Sequence, residues 1–187
     1  MRRFKTIYLL LAALSLAPAT ARAANWQLEP AQSRLAVDFK QGGGEIKAAF
    51  DRFAGTIEFD PNDLEHAAIT MTIDLTSFAS GDAGRDGQAK SASWLDADKT
   101  QQAVYKTLSI ARHAGDVYTV QAELTLRGVT QHLTHDVTIT IDGDQAHATG
   151  SVSLPRLDYG VGKEADPSGD TVSLDVGVSF DVSAKRS

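Results

Sequence analysis

The chain of 187 residues carries 24 acidic and 18 basic side chains and contains no cysteine. The lack of cysteine excludes disulfides, thiolate metal sites and a cysteine nucleophile. Because nucleic-acid binding depends on Lys and Arg neutralising phosphates, the acidic balance argues against a nucleic-acid partner.

The first 23 residues have the layout of a secretory signal peptide. Arg2, Arg3 and Lys5 form a basic start, residues 6–17 form an apolar run, and residues 21–23 read Ala-Arg-Ala. The run is shorter than the roughly 20 residues of a membrane-spanning helix, which disfavours a retained anchor, and the small residues fit a cleavage site. We therefore expect residues 1–23 to be removed and residues 24–187 to form one exported domain in the periplasm.

Alternation of apolar and polar residues with a period of two dominates the rest of the chain. Residues 172–182, for example, have Val, Leu or Phe at every even position. This pattern is typical of antiparallel strands with one face in water. It predicts eight strands, at residues 34–39, 45–60, 67–76, around 105, 118–127, 133–141, 146–154 and 172–183. The second is interpreted as one strand bent near Arg52 and Phe53, although two strands fit it equally well.

Two segments interrupt the alternation. Residues 80–100 are predicted to form an irregular loop with a short helix beginning near Asp86, whose carboxylate suits a helix start. Trp94 and Leu95 would anchor this loop as a plug or flap. Residues 160–170 are predicted to form a second, acidic loop.

Evenly spaced strands with little helix indicate an all-β sandwich or barrel in a single domain. The long first and last strands could pair and leave no exposed edge, which favours a closed barrel. The predicted fold is therefore an eight-stranded antiparallel barrel with a short helix near residues 80–100.

Five short motifs follow one another along the chain. They are SRLAVDF at residues 33–39, FAGTIEFDP at 53–61, Arg-Asp and Trp-Leu-Asp within 85–96, LTLRGVT at 124–130 and LPRLDYGVG at 154–162. Together they resemble the YceI-like family of periplasmic proteins over essentially all of residues 24–187. The resemblance implies a lipocalin-like barrel that binds polyisoprenoid-type lipids.

Three positions depart from the family pattern. Gln41 stands where many members have His, Gln101 where Pro is usual, and Tyr105 where Phe is usual. The first departure argues against a histidine at that mouth of the barrel. The other two look like conservative changes in packing.

Motifs for catalysis and metal binding are missing or incomplete. The sequence has no Gly-x-Ser-x-Gly elbow, so we assign no catalytic residues and expect no enzymatic activity.

His132 and His135 are three apart and face opposite sides of a strand, so His135 is favoured as a core histidine with one hydrogen bond. Glu164, Asp166 and Asp170 lack EF-hand spacing, so a solvated loop is favoured over a calcium site. No metal and no cofactor are assigned.

The inward-facing side chains decide whether the barrel is hollow. Small residues are mixed with large ones, and an eight-stranded barrel can be filled by its own side chains or hold one small ligand. The pattern alone fits both equally, and the family resemblance favours a channel. The predicted ligand-lining residues are Phe39, Ala48, Phe50, Met71, Ile73, Ala122, Leu124, Ile139, Ala148, Val176 and Phe180.

Four further residues are predicted to contact a ligand headgroup or to lie at the mouth of the barrel. They are Arg85, Asp86, His135 and Arg156. A structural ion pair or a loop clamp is the alternative role for Arg85, Asp86 and Arg156.

We therefore expect a periplasmic protein that holds a polyisoprenoid or a similar long apolar lipid, such as a quinone tail or a prenyl carrier, for transport, storage or sequestration. The alternative is an interaction or stress-response protein without lipid cargo. Its barrel would be filled by side chains, and its loops would dock a membrane or respiratory partner. Both a monomer and a homodimer fit the sequence.

Overall fold

The computed structural model describes residues 24–187, so the predicted signal peptide lies outside the described residues. Its strands are β1 (Asn25–Leu28), β2 (Arg34–Gln41), β3 (Gly44–Phe50), β4 (Phe53–Glu58), β5 (Ala68–Asp74), β6 (Phe78–Ala79), β7 (Gln102–Ala114), β8 (Val117–Leu126), β9 (Val129–Asp142), β10 (Gln145–Pro155) and β11 (Asp175–Arg186). The helix α1 spans Ala83–Lys90, and short 3₁₀ turns cover Pro30–Gln32, Leu64–His66, Leu75–Ser77 and Arg156–Tyr159.

The sheet closes on itself to form an eight-stranded antiparallel barrel. Neighbouring strands follow the order β1-β4-β5-β7-β8-β9-β10-β11, and β1 pairs with β11 as well as with β4. This closed barrel with one short helix confirms the predicted fold class.

The gap between β4 and β11 is filled in two parts. At one end β1 lies between them, with Trp26 opposite Ile57 on one side and Arg186 on the other. At the other end β2 pairs with the first half of β11, with Leu35 opposite Phe180, as the predicted pairing of long first and last strands requires. The alternation of residues does not reveal β1, because a four-residue strand is too short to show a period.

The segment predicted as one bent strand is two strands, β3 and β4. The chain breaks at Asp51 and Arg52, whose backbone N–H groups donate to the carbonyl and the hydroxyl of Ser77 rather than to a neighbouring strand. As a result β3 pairs with β2 and β6, and β4 pairs with β1 and β5.

The helix α1 lies at the end of the barrel where β2 ends, since Arg85 bonds to Gln41, the last residue of β2. Its start was predicted near Asp86, which is wrong: the N-cap is Asp82, whose carboxylate accepts a hydrogen bond from the N–H of Arg85 at 2.8 Å. The carboxylate of Asp86 instead accepts bonds from the N–H and the hydroxyl of Ser80. Within residues 24–187 no helix is both long and apolar enough to cross a membrane.

Two buried clusters pack the ends of the barrel. The base cluster, near β1, consists of Trp26, Phe59, Ile110, Tyr118, Val120, Ala122, Val137, Ile139 and Ala184. The loop cluster, near α1, consists of Ile73, Leu75, Trp94, Ala97, Ala103, Leu124, Leu154, Tyr159, Val161 and Val172. Tyr105 packs against both clusters and therefore lies between them.

Glycine at position 55 is required by the close approach of β4 to β5. A Cβ atom there would lie 2.6 Å from the carbonyl oxygen of Thr70 and would also overlap the sulfur of Met71. We expect Gly55→Ala to lower the free energy of unfolding by about 1–3 kcal/mol, measured by urea titration, because the backbone oxygen cannot give way. The matched control is Gly87→Ala in α1, where a Cβ meets nothing within 4 Å. It should be neutral or stabilising by up to about 1 kcal/mol, and an equal loss in both variants would contradict the steric explanation.

Candidate ligand-binding cavity

A cavity of about 330 Å³ lies inside the barrel, between the base and loop clusters. Strands from all round the barrel contribute to its wall, together with α1 and the segment that carries Trp94 and Leu95. The volume is at the lower end of the range for pockets that hold small molecules. The described wall contains no Asp or Glu.

The base end of the cavity is filled by aromatic rings. Trp26, Phe59 and Tyr118 are each less than 5% exposed, and the indole N–H of Trp26 donates to the carbonyl of Phe59 at 2.8 Å. Outside them, the guanidinium groups of Arg186 and Arg112 lie over Trp26 and Tyr118. This packing leaves the opposite end as the place where the cavity meets solvent.

The mouth of the cavity lies beside α1. Gln88 lines the cavity and is exposed, so the cavity reaches the surface there. Arg85 donates from Nε to Oε1 of Gln41 at 2.8 Å and from Nη1 to the hydroxyl of Ser80 at 3.2 Å. The mouth is therefore polar, whereas the wall behind it is almost entirely apolar.

Nine of the eleven residues predicted to line a ligand site lie on the cavity wall. The alternation predicted their inward direction, because successive side chains of a strand point to opposite faces. Ala48 and Ala122 do not reach the cavity. Ala48 is covered by Val37 and Phe78, and Ala122 is fully buried within the base cluster.

The four residues predicted for the headgroup or mouth do not lie together. Arg85 is at the mouth, but Asp86 is not part of the wall, and the hydrogen bonds from Ser80 lower the pKa of its carboxyl. His135 lies within the barrel rather than at the mouth, opposite Val120 on β8. Sequence spacing places each residue on a face but not at a height along the barrel, which explains the error.

Arg156 clamps the loop over residues 160–172. Its guanidinium is 3% exposed and donates to the carbonyls of Ser173, Val161 and Val172, and to both the carbonyl and the carboxylate of Asp166. Each of its three nitrogens therefore donates to this loop or to Ser173, which follows it. Arg156 also lines the cavity, and these hydrogen bonds give it the structural role of a loop clamp that was considered as its alternative.

Asp166 is the buried partner of this clamp. Its carboxylate accepts from the N–H groups of Thr171 and Val172 as well as from Arg156. The hydrogen bond from Val172, followed by those of its neighbours and the charge of Arg156, lowers the pKa of Asp166. This pairing explains why Asp166 does not join Glu164 and Asp170 in an ion site, and residues 24–187 hold no cluster of three His, Asp or Glu placed for a metal.

A histidine–tyrosine pair lies inside the cavity. Nε2 of His135 is 2.9 Å from the hydroxyl oxygen of Tyr105, and both residues line the cavity. Burial lowers the pKa of His135, so the imidazole is neutral at neutral pH. His132, three residues away, is exposed on the outside of β9, as the strand period predicts.

Sequence reasoning missed several residues of the wall. Gln88 and Ala89 come from α1, and Tyr159 comes from the 3₁₀ turn Arg156–Tyr159. These segments have no period-two pattern that could assign them an inward face. The predicted mouth position of Arg85 and the anchoring role predicted for Trp94 and Leu95 did point toward this part of the wall, and all three residues line the cavity.

The fold and the site define a class of protein: a closed antiparallel β-barrel that encloses an apolar cavity with one polar mouth. The model of the YceI-like domain matches residues 26–184. The chain therefore belongs to the YceI-like family.

Relatives and solved structures agree with this assignment. A UPF0312 protein of Vibrio parahaemolyticus is 26% identical over 153 residues, which cover 77% of this chain and 81% of that protein. The crystal structure of BcnA from Burkholderia cenocepacia is 28% identical with a TM-score of 0.82, covering 85% of this chain and all of that one. A polyisoprenoid binding domain from Saccharophagus degradans has the same fold at 17% identity, with a TM-score of 0.71 and coverage of 88% and 99%.

The clamp makes a prediction about stability. Arg156→Met leaves the carboxylate of Asp166 buried without its cation, so we expect the melting temperature at neutral pH to fall by about 5–10 °C. The control is Arg52→Met, which breaks an exposed pair with Asp74 and should shift the melting temperature by less than about 2 °C. Similar shifts for the two variants would contradict the clamp.

The effect of Arg156→Met on the melting temperature should depend on pH, because the pKa of Asp166 differs between the folded and unfolded protein. Because the folded-state pKa is lowered, the charged carboxylate stabilises the fold above the ordinary Asp pKa, and this stabilisation is lost as the pH falls through the lowered value. We expect the difference in melting temperature between wild type and Arg156→Met to narrow under those acidic conditions. A difference that stays constant with pH would show that the carboxylate charge is not involved.

Proposed function

We propose that this protein is a periplasmic binding protein that holds a polyisoprenoid or a similar long apolar lipid inside the barrel, for transport, storage or sequestration. The observation that carries the proposal is the cavity of about 330 Å³ with an almost entirely apolar wall and one mouth. The signal-peptide pattern of residues 1–23 supports the location.

The affinity of such a ligand would come from burial of its hydrocarbon. Drug-sized ligands gain about 0.3 kcal/mol per non-hydrogen atom, and micromolar binding requires about 8.2 kcal/mol. An apolar chain of roughly 27 carbons would therefore bind at micromolar concentrations without any hydrogen bond. A prenyl chain of several isoprene units has this size, and because it is larger than the cavity of about 330 Å³, part of it would extend through the mouth.

The polar groups around the cavity fit a binding role. Arg156 is used by the loop clamp and Arg85 by Gln41 and Ser80, so neither competes with a hydrocarbon for space inside. The wall has no carboxylate to pair with His135 as a general base would require, so we propose binding rather than catalysis.

The docking alternative rests on a filled barrel, and the cavity argues against that premise. Large exposed apolar side chains among residues 24–187 are few and come from separate elements, namely Leu108, Val129 and Leu174. Single apolar residues of this kind are normal on a protein surface. The solved polyisoprenoid binding domain from Saccharophagus degradans shares the barrel architecture, which is compatible with a lipid cargo.

Filling the cavity should abolish binding. Ala148 lines the cavity, so an indole at this position would occupy the space of the ligand. We expect Ala148→Trp to weaken the binding of geranylgeraniol at least tenfold while the melting temperature changes little. Binding is measured by displacement of the apolar fluorophore N-phenyl-1-naphthylamine, after extraction of any bound lipid.

The matched control is Ala111→Trp on the outer, exposed face of β7, which should bind like the wild type. Failure of the wild-type protein to bind either the fluorophore or geranylgeraniol would contradict the proposed function. So would unfolding of Ala148→Trp alone, because it would mean that the interior has no room for a ligand.

A further inference from the structure

The pair formed by Tyr105 and His135 is a polar group in the middle of an otherwise apolar wall. Tyr105 packs against both the base and the loop clusters, so the pair lies well inside the barrel. Phe180 meets the imidazole edge to face with the ring centres 5.9 Å apart, and this contact fixes the ring from the side of β11.

The hydrogen bonds of His135 assign its tautomer. Nδ1 lies 3.4 Å from the carbonyl oxygen of Asp136, and a carbonyl only accepts, so this contact favours the tautomer with the proton on Nδ1. Since burial keeps the imidazole neutral, Nε2 is then an acceptor. In that tautomer the hydroxyl of Tyr105 donates its proton to Nε2 across the 2.9 Å contact.

This arrangement leaves one hydrogen-bond acceptor of the pair unused. The hydroxyl oxygen of Tyr105 has donated its only proton and keeps lone pairs that accept hydrogen bonds. The other polar groups nearby are occupied: the hydroxyl of Thr107 bonds to the backbone of Ile69, and the indole N–H of Trp26 bonds to Phe59. Tyr105 itself therefore offers an acceptor and no donor, whereas the buried hydroxyl on the described wall that has no partner is that of Tyr159 in the loop cluster.

We propose that Tyr105, oriented by His135, is a specificity-determining residue that accepts a hydrogen bond from a hydroxyl or N–H group of an otherwise apolar ligand. The proposal rests on the proposed function and refines it. It selects alcohols, phenols, hydroquinones and primary or secondary amides over ethers, aldehydes and quinones of the same carbon skeleton. A ligand would enter with its donor group toward the middle of the barrel and its remaining chain along the apolar wall.

The test compares geranylgeraniol with geranylgeranyl methyl ether, which lacks the donor. For each protein we take the ratio of the Kd of the ether to the Kd of the alcohol, by displacement of N-phenyl-1-naphthylamine. The double variant Tyr105→Phe, His135→Leu removes the acceptor and also the ring nitrogen that a ligand hydroxyl could otherwise reach. We expect this ratio to fall roughly three- to tenfold from wild type to the double variant, the effect of one hydrogen bond.

A second variant tests the assigned direction of the hydrogen bond. In His135→Leu the hydroxyl of Tyr105 loses its acceptor and becomes free to donate, so the ether should gain affinity relative to wild type. The matched control is Tyr118→Phe, which removes a buried tyrosine hydroxyl that does not line the cavity and should leave the ratio unchanged. Tyr159→Phe removes the unpartnered hydroxyl of the other tyrosine on the wall and tests Tyr159 as the rival acceptor.

The outcomes separate this proposal from the proposed function. If both probes bind and the double variant keeps the wild-type ratio, or if Tyr159→Phe changes the ratio instead, Tyr105 is not the acceptor and the proposal is overturned. If neither probe binds the wild type, the proposed function fails and this refinement fails with it. Melting temperatures of all variants establish that the compared proteins are folded.

Discussion

Closure of the sheet is the constraint on which the cavity depends. The short strand β1 bonds to β4 on one side and to β11 on the other, so the barrel has no open edge at its base. Once the ring is closed, the apolar face of every strand must point inward. A ring of eight strands encloses an interior, and the inward-facing side chains here leave about 330 Å³ of it unfilled.

The two ends of the barrel differ because different interactions hold them. Trp26, Phe59 and Tyr118 pack the base into a solid layer, with Trp26 tied to the backbone of Phe59. At the other end the clamp of Arg156 and Asp166 fixes the loop over residues 160–172. The ring of Trp94 packs against the Arg156 guanidinium, with 5.2 Å between Cζ and the ring centre. The base of the barrel is therefore packed closed, and the polar mouth beside α1 is the open end of the cavity.

The sequence predicted most of the barrel because period-two alternation is a local signal that survives in each long strand. It missed β1, whose four residues form a strand only because β4 and β11 lie on either side. It placed the helix start at Asp86 instead of Asp82, since both carboxylates suit an N-cap and only the fold decides between them. The alternation also predicted which strand residues point toward the cavity. The position of His135 along the barrel axis and the loop partners of Arg156 could not be predicted, because they depend on contacts between segments far apart in the sequence.

The most direct measurement is native mass spectrometry of the full-length gene product, purified from its own cells without detergent. We expect the folded protein to carry one apolar molecule that is released by extraction with organic solvent. A mass equal to that of the bare polypeptide, before and after incubation with prenylated lipid, would contradict the claim that the barrel is a lipid-holding cavity.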